Sequence, residues 1–196
     1  MTKVQNPLMY VFAGNNGSGK STFRSLVIDK LGIEINIDPD AIARRLNPEN
    51  PELKRLAAGK LVIKTVRECI KEEKSFSIET TLAGKNAINQ MNQAKENGYE
   101  IIMFFLGLKE VSKNIERVAL RVKNGGHHIP TEDILRRHTK SRDNLLQNLD
   151  LIDNLLVVDN SNLDGELILE TSQGNISFQS NHIPQWVTPI IEKLQE

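Results

Sequence analysis

Residues Gly14 to Ser21 read Gly-Asn-Asn-Gly-Ser-Gly-Lys-Ser and match the pattern G-x-x-x-x-G-K-[ST] at every fixed position. An apolar run, Leu8 to Ala13, precedes them between Pro7 and Gly14 and reads as a buried strand. Lys20 to about Leu31 follows as a helix stopped at Gly32. Strand, glycine-rich turn and helix in that order leave few folds open. Backbone N–H groups of such a turn and the unpaired donors of the helix N-terminus converge on one anion. The pattern therefore predicts a site for a nucleoside triphosphate, ATP with Mg²⁺, held by Gly14, Asn15, Asn16, Gly17, Ser18, Gly19, Lys20, Ser21 and Thr22. Lys20 is expected on the β- and γ-phosphates and the Ser21 hydroxyl on the metal.

Strand and helix signals alternate along the rest of the chain. Ile33, Ile35 and Ile37 alternate as a second strand ending at Asp38, Pro39 and Asp40. Asn47 to Pro51 reads as a loop, and a long helix is expected over about Glu52 to Glu73, with Leu56, Ile63, Val66 and Ile70 inward. Phe76 to Ile78 reads as a strand closed by Glu79, Lys85 to Asn97 as a helix, and Ile101 to Leu106 as a buried strand. Val111 to Lys123 is expected to be helical with Val111, Ile115, Val118, Ala119 and Val122 on one stripe, and Thr131 is expected to cap the helix after it. Leu155 to Val158 is the fifth strand. Glu166–Glu170 and Asn175–Gln179 flank Gln173-Gly174 as a small antiparallel hairpin, before a last helix near Pro184. This order predicts an α/β P-loop NTPase fold of three α/β/α layers, as one domain over 1–196. Its central, mostly parallel sheet is expected to have five strands, with a helical lid over about 109–142 and the hairpin and last helix over about 163–196.

Ligands of such sheets bind at the carboxyl ends of the strands. Those ends carry Asp38, Asp40, Glu79, Thr80 and Thr81, all expected to face the crevice of the phosphate loop. Phosphoryl transfer needs a base or orienting group for the acceptor and cations for the developing charge. For Asp-Pro-Asp, plain turn and N-cap chemistry stands beside a catalytic role. Glu79, closing an apolar strand, fits the acid that holds a Mg²⁺-bound water; Asp159 ends a later strand and ranks below it. Between Lys109 and Arg142 nine Lys and Arg face four acids, and Arg117 and Arg121 share a helix face opposite the apolar stripe. A solvated face is one reading. The Gly125-Gly126-His127-His128 break between two basic helices gives the other, a lid carrying Arg side chains to the phosphates. The two histidines lack a ligand-like partner spacing and read as loop residues.

Composition narrows the function classes. Twenty-five basic and 25 acidic residues give zero formal net charge, not the basic excess of a nucleic-acid binder. A small-molecule substrate is expected, and no nucleic acid or membrane partner. Cys69, the sole cysteine, reads as a half-buried structural thiol. Met1 to Pro7 shows no secretory-signal pattern, and the apolar runs are short, so a cytoplasmic protein is expected.

The combined pattern resembles the zeta-toxin family of P-loop kinases. It is carried by AGNNGSGKST from Ala13, NIDPDAIARRLNPENPE from Asn36, FSIETTLAG from Phe76, NIERVALRVKNGGHHIP from Asn114 with its RRH continuation, and VVDNS from Val157. The resemblance implies transfer of the ATP γ-phosphate to a sugar hydroxyl, in the best-known members the 3′-hydroxyl of UDP-N-acetylglucosamine. By position, it implies that Asp40 is the base, that Glu79 and Thr80 contact the acceptor, and that Arg117 stabilises the transferred group. Larger members place a further phosphate-contacting Arg before a lid proline, where this chain has His127, His128 and Ile129 before Pro130. Arg121, Arg136 and Arg137 are the candidates for that role. The resemblance also implies an antitoxin partner. An ATP-dependent switch acting on a protein, or a nucleoside or nucleotide kinase, is the competing reading.

Overall fold

The computed structural model describes residues 6–162 and 164–196. Residues 1–5, part of the stretch read for a leader, and Leu163, at the start of the tail region, lie outside the described residues. The chain forms β1 (Leu8–Ala13), α1 (Lys20–Val27), β2 (Ile35–Ile37), α2 (Pro39–Leu46), α3 (Arg55–Lys71), β3 (Phe76–Thr80) and α4 (Lys85–Glu96). It continues with β4 (Glu100–Gly107), α5 (Val111–Lys123), α6 (Thr131–Gln147), β5 (Asn154–Asp159), β6 (Glu166–Ser172), β7 (Asn175–Gln179) and α7 (Thr188–Leu194). One sheet has the order β2-β3-β1-β4-β5-β6-β7, with β1 to β5 parallel and β6 and β7 antiparallel.

The sheet thus has seven strands, not the five expected. The hairpin is no separate appendage. β6 pairs with the free edge of β5, Leu155 opposite Thr171 and Val157 opposite Leu169, and Ile168 and Leu169 are fully buried. At the turn, Gln173 and Gly174 both have positive φ, 49° and 76°. That is the two-residue geometry which matches strand twist.

Period-2 alternation sorts the central strands between two apolar layers. Met9, Val11, Ile101, Met103 and Phe105 point to the face covered by α3, α4, α6 and α7. Tyr10, Phe12, Phe104 and Leu106 point to the other, where Phe23 of α1 packs against the stacked pair Phe12 and Phe104. Burial on both faces explains why these strands read as unbroken apolar runs.

Five local expectations shift. Pro51–Lys54 is a 3₁₀ turn, and α3 buries Ala58, Val62, Val66 and Cys69, while Leu56 is 76% exposed. The inward face keeps Val66 and, half-buried, Ile70, but takes Ala58 and Val62 in place of Leu56, and Cys69 is buried rather than half-buried. Ala119 is exposed, so the α5 stripe is Val111, Ile115, Val118 and Val122, packed against Ile129 and Ile134 in a small core of its own. Thr131 is the first helical residue of α6 and makes no capping bond; Pro130 occupies the cap. Among the described residues, no helix is long and apolar enough to cross a membrane.

The tail closes the main core. Trp186 lies on Gly107, where a Cβ would meet its ring at 2.4 Å, and its Nε1 donates to Asp159 Oδ2 at 3.4 Å. The Arg142 guanidinium covers the ring from 5.0 Å. Trp186→Ala is expected to cost about 3–5 kcal/mol of stability, the range for emptying a buried aromatic site, read as a lowered midpoint in urea denaturation.

Candidate active site

The phosphate loop is shaped by what presses on it. A Cβ at Gly14 would lie 2.1 Å from the Leu106 carbonyl, at Gly17 2.6 Å from the Asn114 carbonyl, and at Gly19 2.2 Å from Asn160 Nδ2. All three glycines have positive φ. Side chains from distant segments then fix the loop. Asn114 Nδ2 donates to the Asn16 carbonyl at 2.7 Å, Asn160 Nδ2 to the Ser18 carbonyl at 2.8 Å, and Arg137 Nη1 to Asn16 Oδ1 at 3.0 Å. Asn15 reaches the other way, donating to the Ile134 carbonyl at 3.0 Å. Helices α5 and α6 are therefore hydrogen-bonded scaffolding of the loop and not only a cover over it.

Lys20 is buried, and its Nζ donates to the Asn15 carbonyl at 2.9 Å. Burial holds its pKa below the usual lysine value, opposed by the charges of Glu79, Asp40 and Asp38. Ser21 Oγ donates to Glu79 Oε1 at 2.8 Å. Glu79 lies within β3, paired with Phe12 of β1, so sheet register alone puts it beside the first turn of α1. Burial, followed by the Asp38 charge, raises its pKa, while Lys20, the Ser21 bond and Arg24 pull it down.

Asp38 caps α2, its Oδ1 accepting from the N–H groups of Asp40 at 2.9 Å and Ala41 at 3.1 Å. The cap aims the next acid: Asp40 is exposed in the first turn of α2, on the cleft wall. Thr80 and Thr81 line the same wall, and Thr80 Oγ1 accepts from the Leu82 N–H at 3.0 Å. That bond and one from Asn144 Nδ2 to the Leu82 carbonyl, 2.7 Å, hold Leu82 at φ 55°. A left-handed leucine costs about 1–2 kcal/mol, and this strain sits where β3 enters the site.

Arg117 and Arg121 both line the cleft. Arg117 Nη2 donates to the Asn160 carbonyl at 2.9 Å, and Arg121 Nη2 to the His127 carbonyl at 3.2 Å. Gly125 and Gly126 end α5 with bonds to the Val122 and Arg121 carbonyls, a Schellman stop that turns the chain back over Arg121. The His127 ring meets the Glu52 carboxylate and, at 3.2 Å, Arg55 Nη2, so this loop is pinned to the start of α3.

These residues surround one cleft of about 950 Å³ at the carboxyl ends of β1, β2 and β3. It collects Asn16, Gly17, Gly19, Lys20, Ser21 and Thr22 of the phosphate loop with Asp38, Asp40, Glu79, Thr80, Thr81, Arg117 and Arg121, while Gly14, Asn15 and Ser18 of the expected set do not line it. Its walls carry eight Lys or Arg against four Asp or Glu, in a chain of zero net charge. Asp159 stays off the cleft; its carboxylate accepts from the Ser161 N–H and from Trp186. The next residue, Asn160, is the one that touches the loop. Sequence reasoning stopped one position short there, and it missed Asn114, Arg24, Arg55 and Lys85. Arg24 had one usable signal, its i+4 spacing from Lys20.

The sequence profile of the zeta toxin family matches residues 1–165. An uncharacterized protein of Haemophilus influenzae is 41% identical over 133 residues, 68% of this chain and 92% of that protein. A structure from the PezAT chromosomal toxin-antitoxin system of Streptococcus pneumoniae superposes with a TM-score of 0.61 at 18% identity, covering 100% of this chain and 92% of that one. An AvrRxo1-ORF1:-ORF2 structure with ATP has a TM-score of 0.67 at 13% identity, covering 100% of this chain and 65% of that one.

His138, one residue after Arg137, belongs to the polar pocket behind the loop, with Asn15, Ser18, Asn114 and Ser141. Burial, and then the charge of Arg142, lowers its pKa to about 4 from 6.5. The unfolded chain therefore takes up a proton that the folded one refuses. Stability is expected to fall as the pH drops from 6.5 to about 4, with no further loss from this group below that. His138→Gln should flatten that part of a urea-midpoint profile against pH; an unaltered slope would speak against it.

Proposed function

This chain belongs to the zeta-toxin family of P-loop kinases, and we propose that it transfers the γ-phosphate of ATP to a sugar hydroxyl, with the 3′-hydroxyl of UDP-N-acetylglucosamine the leading acceptor. One observation carries the reading: Asp40 and the Ser21–Glu79 pair face the same cleft as the phosphate loop, from different strand ends. A cradle alone would serve a switch. An acid on the opposite wall serves an acceptor.

In this reading the loop N–H groups and Lys20 hold the β- and γ-phosphates. The Asp40 carboxylate takes the proton of the acceptor hydroxyl as its oxygen bonds to the γ-phosphorus. The bond from that phosphorus to the bridging oxygen breaks, and ADP leaves with the electron pair. Arg117 and Arg121 face the equatorial oxygens, where charge spreads in the transition state. Asp38, Thr80 and Thr81 bound the acceptor side. The excess of cations in the cleft suits an acceptor that carries phosphates of its own.

The donor set also fits Mg²⁺. The Ser21 hydroxyl and Glu79 carboxylate are hard oxygen ligands, and they meet through Glu79 Oε1 at the first turn of α1. When bound, the ion neutralises charge on the β- and γ-phosphate oxygens. Ser21 would hold it directly, and Glu79 through a water. With Arg121 already beside Arg117 at the phosphates, Arg137 is favoured over Arg136 as a further phosphate-facing arginine: it is 18% exposed and bonded to Asn16, whereas Arg136 is 60% exposed. A small antitoxin protein is the proposed macromolecular partner, by kinship with the toxin-antitoxin system above.

Lys20→Ala is expected to abolish ATP binding. Asp40→Asn is expected to keep ATP affinity and to lower turnover about 10²–10⁴-fold, the usual contribution of a general base. Titration with a fluorescent ATP analogue, run beside transfer assays on an array of nucleotide sugars and nucleosides, checks both. ATP hydrolysis with no phosphorylated acceptor would favour the switch instead.

A further inference from the structure

Arg24 stands on α1 one turn beyond Ser21 and does not line the cleft. Its Nη2 lies 3.5 Å from Asp38 Oδ2 and its Nη1 3.5 Å from Glu79 Oε2. The Arg24 side chain is 16% exposed and those of Asp38 and Glu79 are 11% and 13%, so all three lie largely out of water. Each carboxylate has one oxygen engaged at the site: Asp38 Oδ1 caps α2, and Glu79 Oε1 accepts from Ser21. Each turns its other oxygen to Arg24. Arg24 Nη2 donates a long bond to Asp38 Oδ2, whereas the Arg24 Nη1 and Glu79 Oε2 atoms are buried with no hydrogen-bond partner.

Incompletely bonded buried charges are costly, and packing gives no reason to keep them. Placement does give one. The three groups link the first helix after the phosphate loop, the cap of the helix that bears Asp40, and the end of β3. A lysine ammonium could neutralise either acid; only the planar fork of an arginine reaches both at once.

We propose that Arg24 is a positioning residue, which sets Glu79 against Ser21 and, through the Asp38 cap, sets the first turn of α2 with Asp40 against the phosphate loop. The proposal rests on the kinase reading for what those groups do, while the placement itself rests on the geometry. Arg24 acts from behind the carboxylates and touches neither nucleotide nor acceptor.

The test compares wild type, Arg24→Met and Arg24→Lys for affinity toward a fluorescent ATP analogue, in EDTA and in Mg²⁺, and for kcat and KM of transfer. In EDTA, Arg24→Met should bind as wild type does, because the loop and Lys20 are untouched. The gain in affinity that Mg²⁺ gives wild type should shrink, and kcat should fall about 10–100-fold, the usual effect of groups that orient metal ligands. The KM for ATP should change little beside kcat, and Arg24→Lys should recover part of the loss. Arg24→Met with wild-type kcat and a wild-type Mg²⁺ gain would overturn the proposal. Equal weakening in EDTA and Mg²⁺ would also overturn it, as a general disturbance of the loop, and full recovery by lysine would reduce the role to charge. Wild type that phosphorylates no acceptor would sink the kinase reading alone, since the EDTA and Mg²⁺ affinities still decide the role of Arg24.

Discussion

Close approach of backbone to the phosphate loop is the constraint on which the rest of the molecule depends. The loop has to present its N–H groups to an anion, and that is possible only where its outer side is held by other parts of the chain. The Leu106 carbonyl of β4, the Asn114 carbonyl of α5 and the Asn160 amide after β5 lie against the three glycines that have positive φ. Two of those neighbours, Asn114 and Asn160, also bond loop carbonyls. Steric need and hydrogen bonding thus draw three separate segments onto the same loop. Arg117 and Arg137 arrive with them, because they sit on the helices that do the holding.

Acids collect opposite this scaffold for a different reason. Parallel strands end at one edge of the sheet, and β3 lies between β2 and β1. Asp38 at the end of β2 and Glu79 near the end of β3 are therefore neighbours across the ladder without being close in sequence. Like charges at such a distance raise one another's cost of ionisation, and the Asp38 charge does raise the Glu79 pKa. Lys20, from the cleft side, is the main cation that lowers it, and Arg24 adds a smaller pull from 3.5 Å. At this corner of the cleft the acids are offset by cations, while the cleft as a whole keeps an excess of cations.

The tail beyond residue 165 lies outside the family match and yet belongs to the core. β6 covers the edge that β5 would otherwise leave open, and the Trp186 ring fills the space that Gly107 leaves. Asp159 is diverted by that packing from the cleft to the indole, so the same acid-at-strand-end pattern has two outcomes. Glu79 and Asp159 differ in what the third dimension sets beside them, not in their local sequence context.

The order of strands and helices, the phosphate loop and the candidate acids were legible in the sequence, because alternation, glycine spacing and strand-end position are local signals. β1 to β5, α4 and α5 fall within two residues of where their patterns place them, whereas α1 ends at Val27, short of the expected Leu31. Local pattern misjudged faces more than elements: the inward side of α3 is set by Ala58 and Val62, which hydrophobicity alone ranks below Leu56. It could not count the sheet, because a hairpin pattern does not show that β6 pairs with the edge of β5 as well as with β7. Nor could it find Asn114 or Asn160, since polar side chains on helices and loops look alike until their partners are known. For the phosphate loop, then, sequence determined the chemistry, because the residues that bind an anion are contiguous. Tertiary structure decided what surrounds it, because hydrogen bonds and ion pairs between segments as far apart as Ser18 and Asn160 exist only once the sheet has brought them together.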